Sequence, residues 1–301
     1  MADRVLDSWN DGPAKQAILE YVASVNAPGK GFVSPADRIA TFDNDGTLWV
    51  ERPTPPQFDF LLRKWGQEAE ANPTLAAKEP YKAIEDKDQA FFQGLVTQDP
   101  KVVAALEGAM ATSWAGTTPD TFDAEVRQWA TTVKQPKFGV SYTKLVYQPM
   151  LELFDLLKAN EFRLFVCSGG GRDFMRVIAE DLWGIYKEDV IGSASAYEYK
   201  HGQILRTAEM LGGIALGPGK PEHIFARTGR LPVFAGGNAD VDIEMLESAQ
   251  FALLVDHDDA EREYAYTDAA ERSLTRADDL GWTVVSLKHD WNTIFAPGVT
   301  P

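Results

Sequence analysis

The chain has 301 residues, 45% hydrophobic and 25% charged, with 29 basic against 45 acidic residues and a formal net charge of −16. That length suffices for one large core, or a core with a smaller domain, in a composition ordinary for a soluble globular protein and too apolar for disorder. The acidic balance argues against nucleic acid and against an anionic membrane surface as partners, and any phosphate site must be made locally.

The single cysteine, Cys167, excludes an internal disulfide and reads as a small buried apolar residue. Met1-Ala2-Asp3-Arg4 leads into a polar helix with no apolar export segment, and no window approaches a membrane span. The sequence as it stands therefore reads as cytoplasmic, although an exported form with its signal peptide removed would read the same.

Ser8 to Pro13 starts a helix with proline in its first turn, and Ile18, Leu19, Val22 and Val25 continue it at helical spacing. This helix is expected to pack outside the core. A loop at Asn26 to Gly31 precedes a buried strand from about Arg38 to Phe42. That strand ends in Thr41-Phe42-Asp43-Asn44-Asp45-Gly46-Thr47-Leu48, where two carboxylates on alternate residues are followed by a glycine that lets the backbone turn sharply. Asp43 and Asp45 can then share one pocket, one as an ionised metal ligand and nucleophile, the other as an acid/base with a raised pKa. A calcium loop of the EF-hand type is excluded, because the further spaced acids and the later glutamate are missing.

From Val50 to about Val146 no strong strand candidate occurs, and Phe58–Ala71, Pro100–Ala115 and Pro119–Val133 read as helices. This is an all-helical insert, residues 50–146, about the size of a small domain, with Phe60, Trp65, Trp114, Phe122 and Trp129 making its interior. Residues 1–49 and 147–301 would form the remaining α/β domain. Glu51-Arg52 lies where the chain enters the insert and reads as either a substrate contact or a surface ion pair.

After a linker with Pro136 and Gly139, helices and strands alternate: helix Pro149–Ala159, strand Arg163–Cys167, helix Arg172–Leu182 and strand Val190–Ala194. A small hairpin turns at His201-Gly202, and then come helix Pro221–Arg227, strand Pro232–Ala235, helix Asp242–Ser248, strand Phe251–Val255 and a last strand near Val284–Leu287. The pattern implies a Rossmann-like, doubly wound, mostly parallel sheet with its site at the carboxyl ends of the strands.

Four further clusters stand at strand ends or helix starts. Phe165-Val166-Cys167-Ser168-Gly169-Gly170-Gly171 offers a hydroxyl and backbone N–H groups to an anion, and no Gly-x-Ser-x-Gly spacing marks Ser168 as a nucleophile. Gly217-Pro218-Gly219-Lys220-Pro221 puts a lysine where a helix begins, a position that disfavours a cation unless an anion is near. It is not a Walker loop, since Ile214 stands at the first glycine and Pro221 at the Ser/Thr position. Val233 to Leu246 contains Gly237-Asn238-Ala239-Asp240-Val241-Asp242 before an apolar helix. Asp256-His257-Asp258-Asp259 follows a core strand and reads either as part of the same edge or as an acidic turn.

Asp43-x-Asp45-Gly46-Thr47-Leu48, Ser168, Lys220 and the loop through Asp242 resemble, in order, the four motifs of the haloacid dehalogenase superfamily, nearest to its phosphoserine phosphatase-like branch with a helical C1-type cap. The resemblance implies a magnesium-dependent phosphomonoester hydrolase acting on a small phosphorylated metabolite through an aspartyl-phosphate on Asp43. Asp45 would serve as acid and then base, and Lys220 and Ser168 would stabilise the transferring group. Thr47, Gly169, Gly170, Glu51 and Arg52 are the implied substrate contacts. Asp43, the main-chain carbonyl of Asp45 and an oxygen from the last loop would hold Mg²⁺. Asn238 stands at that loop's first acid, so either its amide oxygen binds the metal or Asp242 moves in as the direct ligand. Asp45 argues against dehalogenase chemistry. Phosphotransfer on the same scaffold, or a non-catalytic phosphometabolite-binding protein, are the alternatives, the latter kept open by Asn238.

Overall fold

A computed structural model describes residues 5–97 and 99–301; Met1 to Arg4, read above as leading into the first helix, lie outside them. Proline at the first position opens α1 (Pro13–Asn26), whose Ala14, Ile18, Val22 and Val25 form one buried stripe. That stripe joins the main core together with Phe42, Phe234 and Val285. The expectation of a helix outside the core is thus corrected: Tyr21 stacks on Phe251 at 4.8 Å and its hydroxyl donates to the Val233 carbonyl at 2.6 Å. Four buried residues with one apolar face have nowhere else to go, and the sheet supplies the face.

The strand β1 (Ile39–Phe42) is buried throughout, as an inner parallel strand must be when both of its faces are covered. Arg38 is not part of it. Its guanidinium is buried and donates to the carbonyls of Val25, Val33 and Asn160 and to Asn26 Oδ1. The insert then contributes six helices, α2 (Pro56–Ala71), α3 (Pro73–Ala76), α4 (Tyr81–Glu85), α5 (Gln89–Val96), α6 (Pro100–Thr112) and α7 (Pro119–Thr132). Phe60 stacks on Trp114 at 5.5 Å in its interior. The indole N–H groups of Trp65, Trp114 and Trp129 donate to Ser113, Glu125 and Asp59 at 3.0, 3.0 and 2.8 Å, so the large rings are buried without orphaned donors.

The second half runs α8 (Gln148–Ala159), β2 (Arg163–Gly171), α9 (Arg172–Trp183), β3 (Val190–Ser193), β4 (Ser195–Lys200), β5 (Gln203–Met210), α10 (Gly219–Thr228), β6 (Phe234–Gly237), α11 (Ile243–Glu247), β7 (Phe251–Asp256), α12 (Glu271–Leu280) and β8 (Thr283–Ser286). Six of these strands form one parallel sheet in the order β3-β2-β1-β6-β7-β8. The order reverses at β1, so the crevice where doubly wound sheets bind ligands opens at the end of the strand that carries Asp43.

Two expectations shift. β2 does not stop at Cys167 but runs to Gly171, with its register to β3 slipping between Ser168 and Gly171, so the glycines form a bulge inside the sheet rather than a loop after it. The β4–β5 hairpin joins the insert: Gly116 N–H donates to Arg206 O at 2.8 Å and Arg206 N–H to Thr117 O at 2.9 Å. The layer over the sheet's carboxyl edge is therefore helical with one hairpin added. Among the described residues, no helix is long and apolar enough to cross a membrane.

Candidate active site

β1 places Asp43 one residue past its end, with the Asp43 N–H bonded to the Gly236 carbonyl at 2.9 Å. Gly46 then turns with φ +75°, and a Cβ there would fall 2.2 Å from Asn238 Nδ2 and 2.9 Å from Glu51 Cδ. Only glycine lets the first loop, Glu51 and the Asn238 loop approach this closely. The turn also points Asp45 at Trp49, whose indole N–H donates to Asp45 Oδ1 at 2.7 Å.

Lys220 sits in the first turn of α10, where a helix alone would repel it. The compensating anions are present. Its buried ammonium donates to Asp43 Oδ1 at 2.5 Å and to Asp242 Oδ1. The other Asp242 oxygen accepts the N–H groups of Asn238 and Ala239, both at 3.0 Å. With both oxygens engaged, Asp242 holds Lys220 and the loop in place, and Asn238 is the polar side chain of that loop that lines the cavity, beside Ala239 and Val241. Asp240 turns away and caps α12 through the Ser273 N–H at 2.8 Å.

These groups line a cavity of about 360 Å³ between the strand ends and the insert. Asp43, Asp45, Ser168, Gly169, Gly170, Asn238 and Glu51 open into it from the core side and from the entry to the insert. Phe58, Leu61, Trp65, Phe92, Leu106 and Met110 close it from the insert. Ser168 Oγ accepts the Gly170 N–H at 3.1 Å. A Cβ on Gly169 would meet Leu216 Cδ2 at 2.0 Å, so this position stays glycine for space. Thr47 is buried behind the wall and donates to Asn238 Oδ1 at 3.0 Å. Arg52 is not brought to the cavity: it pairs with Asp268 at 2.7 Å and lies over the Tyr266 ring at 4.2 Å.

Electrostatically the site is overloaded with acid. Asp43 and Asp242 share one ammonium, Lys220, while Asp45 and Glu51 open into the same cavity, Glu51 with Arg52 at 4.0 Å. Burial pushes Asp45 up to about 7, with Glu51 adding to the rise and the Trp49 hydrogen bond opposing it. Burial and the facing Asp242 carboxylate raise Asp43 against the pull of Lys220. Burial likewise raises Glu51, opposed by His257.

Three contributors carry no clear signal in the sequence. Gln57, in the first turn of α2, accepts the Gly171 N–H through Oε1 at 2.6 Å and so ties the insert to the β2 bulge. Trp49 fixes Asp45. Ser193 donates to the Gly169 carbonyl at 2.8 Å from β3. The Asp256 to Asp259 stretch contributes its histidine rather than its acids: His257 Nε2 lies 2.7 Å from the Gly46 carbonyl, with Nδ1 3.2 Å from Glu263 Oε2. Asp258 and Asp259 bond instead to Ser286 and to the local backbone. Replacing Gln57 with alanine leaves the buried Gly171 N–H without its partner. An unfolding titration of Gln57→Ala is expected to show a loss of about 1–2 kcal/mol.

The haloacid dehalogenase-like hydrolase family matches residues 40–247 of this chain. A protein of unknown function from Anaerococcus prevotii is similar over 93% of this chain and 94% of its own, at 14% identity and a TM-score of 0.55. Another of unknown function from Bordetella pertussis is similar over 83% and 98%, at 15% identity and a TM-score of 0.54. A probable phosphoserine phosphatase from Vibrio cholerae is similar over 74% and 57%, at 12% identity and a TM-score of 0.42. No curated protein sequence matches the chain.

Proposed function

The chain belongs to the haloacid dehalogenase-like hydrolase family, and from that membership we propose that it is a magnesium-dependent phosphomonoester hydrolase working through a phosphorylated Asp43. The observation that carries the reading is the arrangement of Asp43 and Asp45 in one cavity, with Lys220 paired to Asp43.

In the first step an Asp43 carboxylate oxygen bonds to phosphorus as the ester P–O bond breaks, and Asp45 gives its proton to the departing oxygen. A carboxyl group near pH 7 in pKa suits that task, since it is protonated often enough to donate and acidic enough to let go. In the second step Asp45, now a carboxylate, takes a proton from water as the water oxygen bonds to phosphorus. The Asp43–phosphate bond breaks, and Asp43 and inorganic phosphate are restored. Trp49 keeps Asp45 Oδ1 occupied and leaves its other oxygen for the proton. Lys220, held by Asp242, and Ser168 face the charge that spreads over the phosphoryl oxygens.

The residues present suit a hard divalent cation. Asp43 and Asp242 against one ammonium, with Asp45 close by, leave an excess of negative charge, and the donors are all oxygens. Among the described residues, no three His, Cys, Asp or Glu form a metal cluster by themselves. The set therefore draws on the Asp43 carboxylate, the Asp45 carbonyl and the Asn238 amide oxygen, with Asp242 in the supporting role. When bound, Mg²⁺ supplies positive charge that keeps Asp43 ionised and neutralises the phosphoryl oxygens. A small phosphorylated metabolite is the substrate.

A panel of phosphomonoesters tests this. Phosphate release is expected with Mg²⁺, is lost in chelator, and returns when Mg²⁺ is added back. A protein that releases no phosphate from any ester with Mg²⁺ present contradicts the reading.

A further inference from the structure

We propose that the cavity selects a phosphate ester whose leaving group is apolar and uncharged, and rejects one that carries a carboxylate. The inference rests on the hydrolase reading above for the placement of the phosphoryl group, and on the walls for the remainder.

Beyond Asp43, Asp45 and Ser168, the space of about 360 Å³ is bounded chiefly by Phe58, Leu61, Trp65, Phe92, Leu106 and Met110 from the insert; the polar Gln57 and Ser193 also line it, bonded to the Gly171 N–H and the Gly169 carbonyl. Phe58 meets Phe92 edge to face at 5.4 Å and Trp65 at 6.5 Å, which makes an aromatic corner. Such walls gain from covering apolar surface and give a charged group nothing in exchange for its lost water.

The charges nearby sharpen the choice. Among the described residues that line the cavity, none is cationic. The neighbouring cations are already engaged: Lys220 by Asp43 and Asp242, Arg52 by Asp268 and by Glu51 at 4.0 Å, and Arg206 by Asp173 at 2.7 Å and Ser195 at 2.7 Å. Apart from Asp43 and Asp45, the ionisable groups that line the cavity are Glu51, beside Asn238 at the entry to the insert, and Glu107, on the insert itself. A leaving group with a carboxylate would be buried near Glu107 with no cation in the lining, whereas an aryl or alkyl group fills the aromatic corner.

The test uses phosphonates, whose P–C bond resists cleavage, so that binding is read apart from turnover. Calorimetry on the full chain with Mg²⁺ compares methylphosphonate, phenylphosphonate, carboxyethylphosphonate and aminoethylphosphonate. Phenylphosphonate is expected to bind at least about tenfold tighter than methylphosphonate and about 100-fold tighter than carboxyethylphosphonate. Glu107→Lys, which sets a cation on the half-buried rim, is expected to narrow the second ratio by at least about fivefold. The inference is overturned if carboxyethylphosphonate binds as tightly as phenylphosphonate, if aminoethylphosphonate outbinds both, or if the phenyl group adds nothing over methyl. The hydrolase reading fails separately: phenylphosphonate binding as expected, with no phosphate released from phenyl phosphate or any other ester, would leave the cavity's preference standing and remove the reaction.

Discussion

Asp43→Asn removes phosphate release, with a fall in kcat of roughly four or more orders of magnitude, and leaves the protein as stable as before or more so. The loss follows from chemistry, because an amide in place of the carboxylate cannot form the acyl phosphate, and removal of a nucleophile costs on this scale. The stability follows from the surroundings. Asp43 and Asp242 are both buried against a single ammonium, so the pair carries one negative charge too many. Asparagine keeps an acceptor for Lys220 and relieves the repulsion. Steady-state kinetics and a denaturant titration on the same preparation check both halves. A variant that loses activity by unfolding would assign Asp43 a structural role.

Lys220→Ala does the opposite to the fold. It leaves two buried carboxyl groups facing each other without the charge between them, and breaking a buried pair in this way costs about 3–5 kcal/mol. One of the two must then hold a proton at neutral pH, since like charges in a buried site do not both ionise. The rate is expected to fall by about a thousandfold, through lost stabilisation of the phosphoryl oxygens and through a nucleophile that is no longer held ionised. Adding Asp242→Asn to Lys220→Ala removes one of the two unpaired carboxyl groups and their mutual repulsion, and is expected to return part of the stability and none of the rate. Unfolding titrations and kinetics of the two single variants and the double variant measure this coupling directly. Additive losses of stability would contradict it.

The gathering of Asp43, Asp45, Ser168 and Lys220 at one edge was legible in the sequence because these residues lie in short runs at element ends. Asp43, Asp45 and Gly46 are nearly consecutive, and Lys220 announced itself by standing where a helix disfavours a cation. What was not legible depends on contacts between distant segments. Nothing in Pro55-Pro56-Gln57 foretells that Gln57 will accept the Gly171 N–H, and nothing in the hairpin foretells that Arg206 will bond to Gly116 and Thr117 of the insert. Glycines count against a strand, which ends the sequence reading of β2 at Cys167, yet the pairing with β3 carries it through a bulge to Gly171. The helix α12, with only Ser273 and Ala277 buried, carries too few apolar residues for the sequence to mark it. The first helix was recognised and misplaced, since an apolar stripe says that a helix packs but not against what.

The choice between Asn238 and Asp242 shows the same division. Sequence alone leaves both as candidates for the metal, whereas in the structure both oxygens of Asp242 are taken by Lys220 and two backbone amides, and Asn238 faces the cavity. Asn238 Oδ1 accepts the Thr47 hydroxyl alone and keeps a second lone pair, so it is the ligand in the reading we propose, with Asp242 positioning the lysine.

The central claim is that Asp43 carries the phosphoryl group. It is tested most directly by acid-quenching the Mg²⁺-loaded protein during turnover, reducing the acyl phosphate with borohydride, and sequencing the peptides by mass spectrometry. The account predicts that the side chain of Asp43, and no other carboxyl group, is reduced to a homoserine. Phosphate release with Asp43 left unmodified, or with the reduced side chain found elsewhere in the chain, would contradict it.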